Sequence, residues 1–76
     1  MNAQNYLKRI SSVPDILHGK PCIKGTRIPV YLIVSLLAEG TTVAEILKDY
    51  PSLTKADISA ALFYASQVTK SESYAL

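Results

Sequence analysis

The rhythm of apolar and polar positions changes at Pro29. Before it, between Leu7 and Val30, short β-favouring runs (Ile10 to Val13, Cys22-Ile23 and Arg27-Ile28) alternate with Pro14, Gly19, Pro21, Gly25 and Pro29. Proline lacks a backbone donor and glycine loosens the chain, so no continuous helix suits this stretch. Short strands or an extended arm are expected instead, turning at His18-Gly19-Lys20-Pro21 and Lys24-Gly25.

After Pro29 the pattern becomes helical. Pro29 suits a first helical turn, and the run from Val30 to Glu39 stops at Gly40, a left-handed terminator. Its apolar residues cover most of the circumference, which predicts a helix buried on more than one side. A second helix opens on a capping box, Thr42 with Glu45, and places Val43, Ile46 and Leu47 on one face. It ends before Pro51, which pushes the preceding residue out of the α region. A third opens with Thr54 as cap and Asp57 near the positive end of the dipole. Ile58, Ala61, Leu62, Ala65 and Val68 form its apolar stripe, flanked by Phe63 and Tyr64.

These elements predict a mainly α chain forming one domain over residues 1–76. Residues 1–29 form a strand-and-turn arm, 30–69 a helical core, and 70–76 a frayed tail. Only Tyr50-Pro51-Ser52-Leu53 separates the second and third helices, the spacing of a helix-turn-helix. The expected fold is a three-helix homeodomain-like helix-turn-helix domain preceded by short β-strands or an extended N-terminal arm.

Length sharpens this picture. A chain of 76 residues buries only about 60% of its unfolded surface, so its margin of stability is small. Cys22 is the single cysteine and His18 the single histidine, so neither a disulfide nor a four-ligand zinc site is available. Cys22 reads as a small buried side chain. A homodimer is the remaining route to extra stability. No secretory apolar segment opens the chain, and its longest apolar run is far short of a membrane span, so a cytoplasmic protein without a membrane partner is expected.

The net charge is +2, unevenly spread. Lys8, Arg9, Lys20, Lys24 and Arg27 stand against Asp15 alone in residues 1–30, whereas the remainder carries more acidic than basic residues. The arm is therefore where phosphates are expected to meet the protein, with ordinary solubilising charge the alternative. The third helix offers Lys55, Ser59, Ser66 and Gln67 but no arginine, a weak set for reading bases. Candidate DNA contacts are thus Lys8, Arg9, Lys20, Lys24, Arg27 and Lys55. Phe63 and Tyr64 are candidate partner-interface residues, since both lie beside a complete core stripe; widening the core is the alternative. No nucleophile with a positioned base, paired carboxylates, phosphate loop or metal cluster is apparent, so no catalytic residue and no cofactor are expected.

The stretch Gly19-Lys20-Pro21-Cys22-Ile23-Lys24-Gly25-Thr26-Arg27-Ile28-Pro29-Val30 is distinctive, as are Leu37-Ala38-Glu39-Gly40, Asp49-Tyr50-Pro51 and Asp57-Ile58-Ser59-Ala60-Ala61-Leu62. Together they resemble the family catalogued as domain of unknown function 433, from about Ile10 to Ala65. The resemblance implies a homeodomain-like, often dimeric domain that acts as an antitoxin to a small PIN-like nuclease toxin. Gly25, Thr26 and Arg27 match its signature. Physically, Gly25 supplies a permissive turn and Thr26 can bond its own turn backbone. Arg27 ties the arm to the helices or contacts a ligand. The function expected on these grounds is a non-catalytic, antitoxin-like binding protein. The alternatives are a helix-turn-helix transcriptional regulator without a toxin, or a plain protein-interaction domain.

Overall fold

The computed structural model describes residues 2–70. They form, in order, α1 (Ala3–Leu7), β1 (Ile10–Ser11), β2 (Cys22–Ile23), α2 (Val30–Ala38), α3 (Val43–Asp49) and α4 (Lys55–Lys70). The chain is mainly helical, with one two-stranded sheet. α4 runs through Lys70, the first residue of the expected frayed tail; the rest of that tail lies outside the described residues.

β1 takes the first half of the expected Ile10 to Val13 run and β2 coincides with Cys22-Ile23, whereas Arg27-Ile28, leading out of the Gly25 turn, forms no strand. β1 and β2 pair antiparallel with Ile10 opposite Ile23 and Ser11 opposite Cys22. A bridge between Cys22 and Pro29 extends the pairing. Between the strands lies a left-handed turn, Leu17–Gly19, in which three successive residues take positive φ (49°, 55° and 83°). The Ser12 hydroxyl donates to the Gly19 carbonyl across it. Glycine adopts this region freely, whereas Leu17 and His18 enter it against the steric preference of their Cβ atoms.

α2 starts one residue after Pro29, which caps it with extended backbone instead of occupying its first turn. It ends in a Schellman motif: the Thr41 N–H donates to Leu36 O at 3.0 Å and Gly40 N–H to Leu37 O at 3.1 Å, with Gly40 at φ +95°. α3 opens on the expected reciprocal box. Glu45 N–H donates to Thr42 Oγ1 (3.1 Å), and Thr42 N–H to Glu45 Oε1 (3.1 Å). α4 repeats the arrangement with an aspartate in place of the glutamate. Thr54 N–H donates to Asp57 Oδ2 at 2.9 Å, and Asp57 N–H to Thr54 Oγ1 at 3.2 Å.

The core gathers Ile23 from β2, Val30 and Ile33 from α2, Ile46 from α3, Leu53 from the α3–α4 turn, and Ile58 and Ala61 from α4. Three expectations are corrected here. First, α1 is an additional helix at the start of the segment expected to be a strand-and-turn arm. It buries no residue of its own and docks on α4 through Tyr6, whose ring lies 5.8 Å from that of Phe63. Five residues cannot sustain a helix on propensity alone, so this element exists by tertiary contact. Second, α2, expected to be buried on more than one side, is fully buried only at Val30 and Ile33; Leu32, Val34, Leu36 and Leu37 are half-buried, and Tyr31, Ser35 and Ala38 face outward. Third, Ile58 and Ala61 of the expected α4 stripe are buried and Ala65 is half-buried, but Leu62 and Val68 are exposed, and Ala60 and Asp57 are buried in their place. The docking of α1 and of Arg9 rotates the covered face toward them.

Candidate functional site

The signature hairpin is built from backbone hydrogen bonds. Ile23 N–H donates to Ile28 O at 3.0 Å and Val30 N–H to Pro21 O at 2.9 Å, closing a loop over Lys24, Gly25, Thr26 and Arg27. Within it Thr26 N–H returns to Ile23 O at 3.0 Å, a β-turn with Gly25 in third position at φ +81°. The Thr26 hydroxyl donates to Ile23 O (2.8 Å) and accepts from Ile28 N–H (3.0 Å). Gly25 and Thr26 thus have the local roles expected of them. Arg27 is exposed and makes no hydrogen bond or ion pair among the described residues.

The residue that ties the arm to the helices is Arg9. Its Nη1 lies 3.0 Å from Asp57 Oδ1, while its carbonyl accepts from Lys24 N–H at 2.7 Å. Of the six cationic candidates, Arg9 is therefore held in an ion pair. Lys20 turns the other way, with Nζ 5.2 Å from the Tyr31 ring centroid, a cation–π geometry. Lys8, Lys24, Arg27 and Lys55 are exposed. Lys24 and Arg9 meet through the backbone; Lys55 stands on α4 as its only basic residue before the final turn.

Phe63 and Tyr64 are both half-buried, on different sides of α4. Phe63 faces Tyr6 of α1. Tyr64 packs against the core and lines a groove of about 490 Å³ between α2 and α4, walled mainly by Pro21, Val30, Tyr31, Val34 and Ala65, with Lys20 at its rim. Sequence reasoning missed this groove. Its signal was the charge-free run from Val30 to Ala38.

Cys22 is buried, with its thiol donating to Lys20 O at 3.3 Å. His18 is exposed on the left-handed turn. No group of three or more His, Cys, Asp or Glu side chains that could hold a metal is present among the described residues. No helix among them is long and apolar enough to cross a membrane. Glu45 has its pKa lowered by the Thr42 backbone N–H, with the Thr42 hydroxyl adding to the effect; this is helix-capping chemistry.

The hairpin and its following helices place the chain. The family model described as "Protein of unknown function (DUF433)" matches residues 10–65. This chain belongs to the DUF433 family. Its similarity extends to a crystal structure of a DUF433 member from Anabaena variabilis ATCC 29413. The two share 36% identity and a TM-score of 0.77, covering 90% of this chain and 71% of that one. The DUF433 domain is also 43% identical over 56 residues to the uncharacterized protein y4eO of Sinorhizobium fredii. That match covers 74% of this chain but about a quarter (25%) of the relative.

Proposed function

We propose that this DUF433 domain is a non-catalytic, antitoxin-like binding module that dimerises and masks a PIN-like nuclease. In this reading α2, α3 and α4 act as a three-helix homeodomain-like unit, with operator DNA as a second ligand. The observation that carries it is apolar surface left open on both sides of α4. One side is the α2–α4 groove with Tyr31 and Tyr64; the other carries Leu62, 46% exposed, beside the Tyr6–Phe63 contact. Surfaces of this kind mark protein contacts, and aromatic residues are favoured anchors in them. The charged groups best placed for chemistry are occupied in structure: Asp57 and Glu45 cap helices, and Arg9 is paired.

A regulator whose main partner is DNA is the second reading, supported by the exposure of Lys8, Lys24, Arg27 and Lys55. Pull-down of the tagged protein from its own cells, with and without nuclease treatment, separates the two. The first reading expects a small nuclease in both samples, whose RNA cleavage stops when the domain is titrated in at equal stoichiometry. Recovery of DNA alone, with a binding constant falling by ~0.9 log units per log unit of salt for each phosphate contacted, replaces it with the regulator.

A further inference from the structure

The whole of α2, from Val30 to Ala38, is without a charged side chain. A helix with this composition is expected to be covered on more than one side. The monomer buries Val30 and Ile33 and half-buries Leu32, Val34, Leu36 and Leu37, whereas Tyr31 is 60% exposed and Ser35 and Ala38 are exposed with it. Tyr31, Ser35 and Ala38 fall at i, i+4 and i+7, so they form one stripe along the outside of the helix, with the half-buried Val34 at its edge. The stripe borders the α2–α4 groove, which Tyr31 and Val34 line on one side and Tyr64 and Ala65 on the other.

Among the described residues, Lys20 and Glu39 carry charge at the two ends of this face. At the N-terminal end Lys20 sits over the Tyr31 ring. At the C-terminal end Glu39 is exposed as the C-cap residue, where the helix dipole adds partial negative charge. The ends have opposite sign, so the face is self-complementary when reversed upon itself.

We infer that this face receives a second copy of the chain, α2 lying antiparallel to α2 across a two-fold axis near Ser35. The inference rests on the dimeric part of the reading above and gives it a surface. Reversal about Ser35 sets residue 31 of one copy beside residues 38 and 39 of the other, bringing each Lys20 to the opposite Glu39. Ser35 and Ala38 are small enough for two helices to approach to the usual 8–10 Å. A polyanion gains little here, because it would meet one lysine per chain and a carboxylate at the far end of the same stripe. An interface of this type is isologous, each patch serving as its own partner.

The test is sedimentation equilibrium and light scattering on the full chain across a concentration series, with circular dichroism to check folding. The native protein should be a dimer. Ser35→Arg places two guanidinium groups opposite each other at the axis, yet on the monomer it is an exposed substitution to a good helix former. It should raise the dimer dissociation constant at least about tenfold with the helical signal intact. Lys20→Glu alone and Glu39→Lys alone should each raise it about three- to tenfold, and the two together should return it to within about twofold of native. That recovery is independent of how Ser35→Arg folds. A dimer insensitive to Ser35→Arg, with no recovery in the charge-swapped pair, overturns this surface and leaves the dimeric reading standing. A native chain that is monomeric at every concentration removes the dimeric reading itself.

Discussion

Arg9 and Asp57, 48 positions apart, join the end of the N-terminal segment to the first turn of α4 through a 3.0 Å contact between Nη1 and Oδ1. Asp57 is the one buried polar or charged residue among those described, at 6% exposure. Its second oxygen already accepts from Thr54 N–H, so a single carboxylate serves as helix cap and as anchor for the arm. Asp57→Ala should destabilise the fold by about 2 kcal/mol: about 1 for the lost cap, and a comparable amount for leaving a half-buried guanidinium without its partner. Arg9→Ala alone should cost about 1 kcal/mol, and a double-mutant cycle in urea should return a coupling of at least about 0.5 kcal/mol. Additive costs would mean that the ion pair contributes nothing measurable.

Glu45 gives α3 a dependence on acid. Its pKa lies below the ordinary value of 4.5 because the Thr42 backbone N–H and hydroxyl bond the charged form. A carboxylate with a depressed folded pKa stabilises fully above its unfolded pKa and loses that contribution as pH falls through the folded one. Carboxyl NMR titration should therefore place Glu45 below 4.5, and Thr42→Ala should raise the midpoint toward that value. The stability difference between native protein and Glu45→Ala should shrink on acidification below pH 4.5; a difference that stays constant would refute the assignment.

The hairpin turn can be tested at two adjacent positions with separate causes. A Cβ at Gly25 would meet nothing within 4 Å, so the cost of Gly25→Ala is conformational, about 1 kcal/mol for holding an L-residue at positive φ. Thr26→Val keeps the shape and removes both hydroxyl hydrogen bonds, for about 1–2 kcal/mol. Chemical denaturation measures each. D-Alanine at position 25, introduced by synthesis, should avoid the penalty of the L-residue.

The left-handed turn should respond in the opposite direction. His18 holds φ 55° with an exposed side chain, and asparagine tolerates that region better. His18→Asn should raise stability by about 0.5 kcal/mol, read as a higher melting temperature. A loss of stability would assign the imidazole a role of its own.

Chain-local chemistry determined the helix starts and stops. Thr42 with Glu45, Thr54, Gly40 and Pro51 act within a few residues of themselves, so their roles are legible in one dimension. The same holds for Gly25 and Thr26, whose turn closes over four residues. Two of the three strand runs were also legible, Cys22-Ile23 in full and the first half of Ile10 to Val13. What the sequence could not display was the contact made across the chain. α1 is too short to announce itself by periodicity and exists because Tyr6 reaches Phe63. Arg27 and Arg9 were equivalent as charges, and only the pairing of β1 with β2 and the docking of α1 decided that Arg9 would meet Asp57. The covered side of α4 was decided in the same way, leaving Leu62 outside. Whether an apolar face is covered depends on which elements the fold places beside it. The uncharged composition of α2 was therefore plain from the sequence, and its open outer face belonged to the tertiary structure alone.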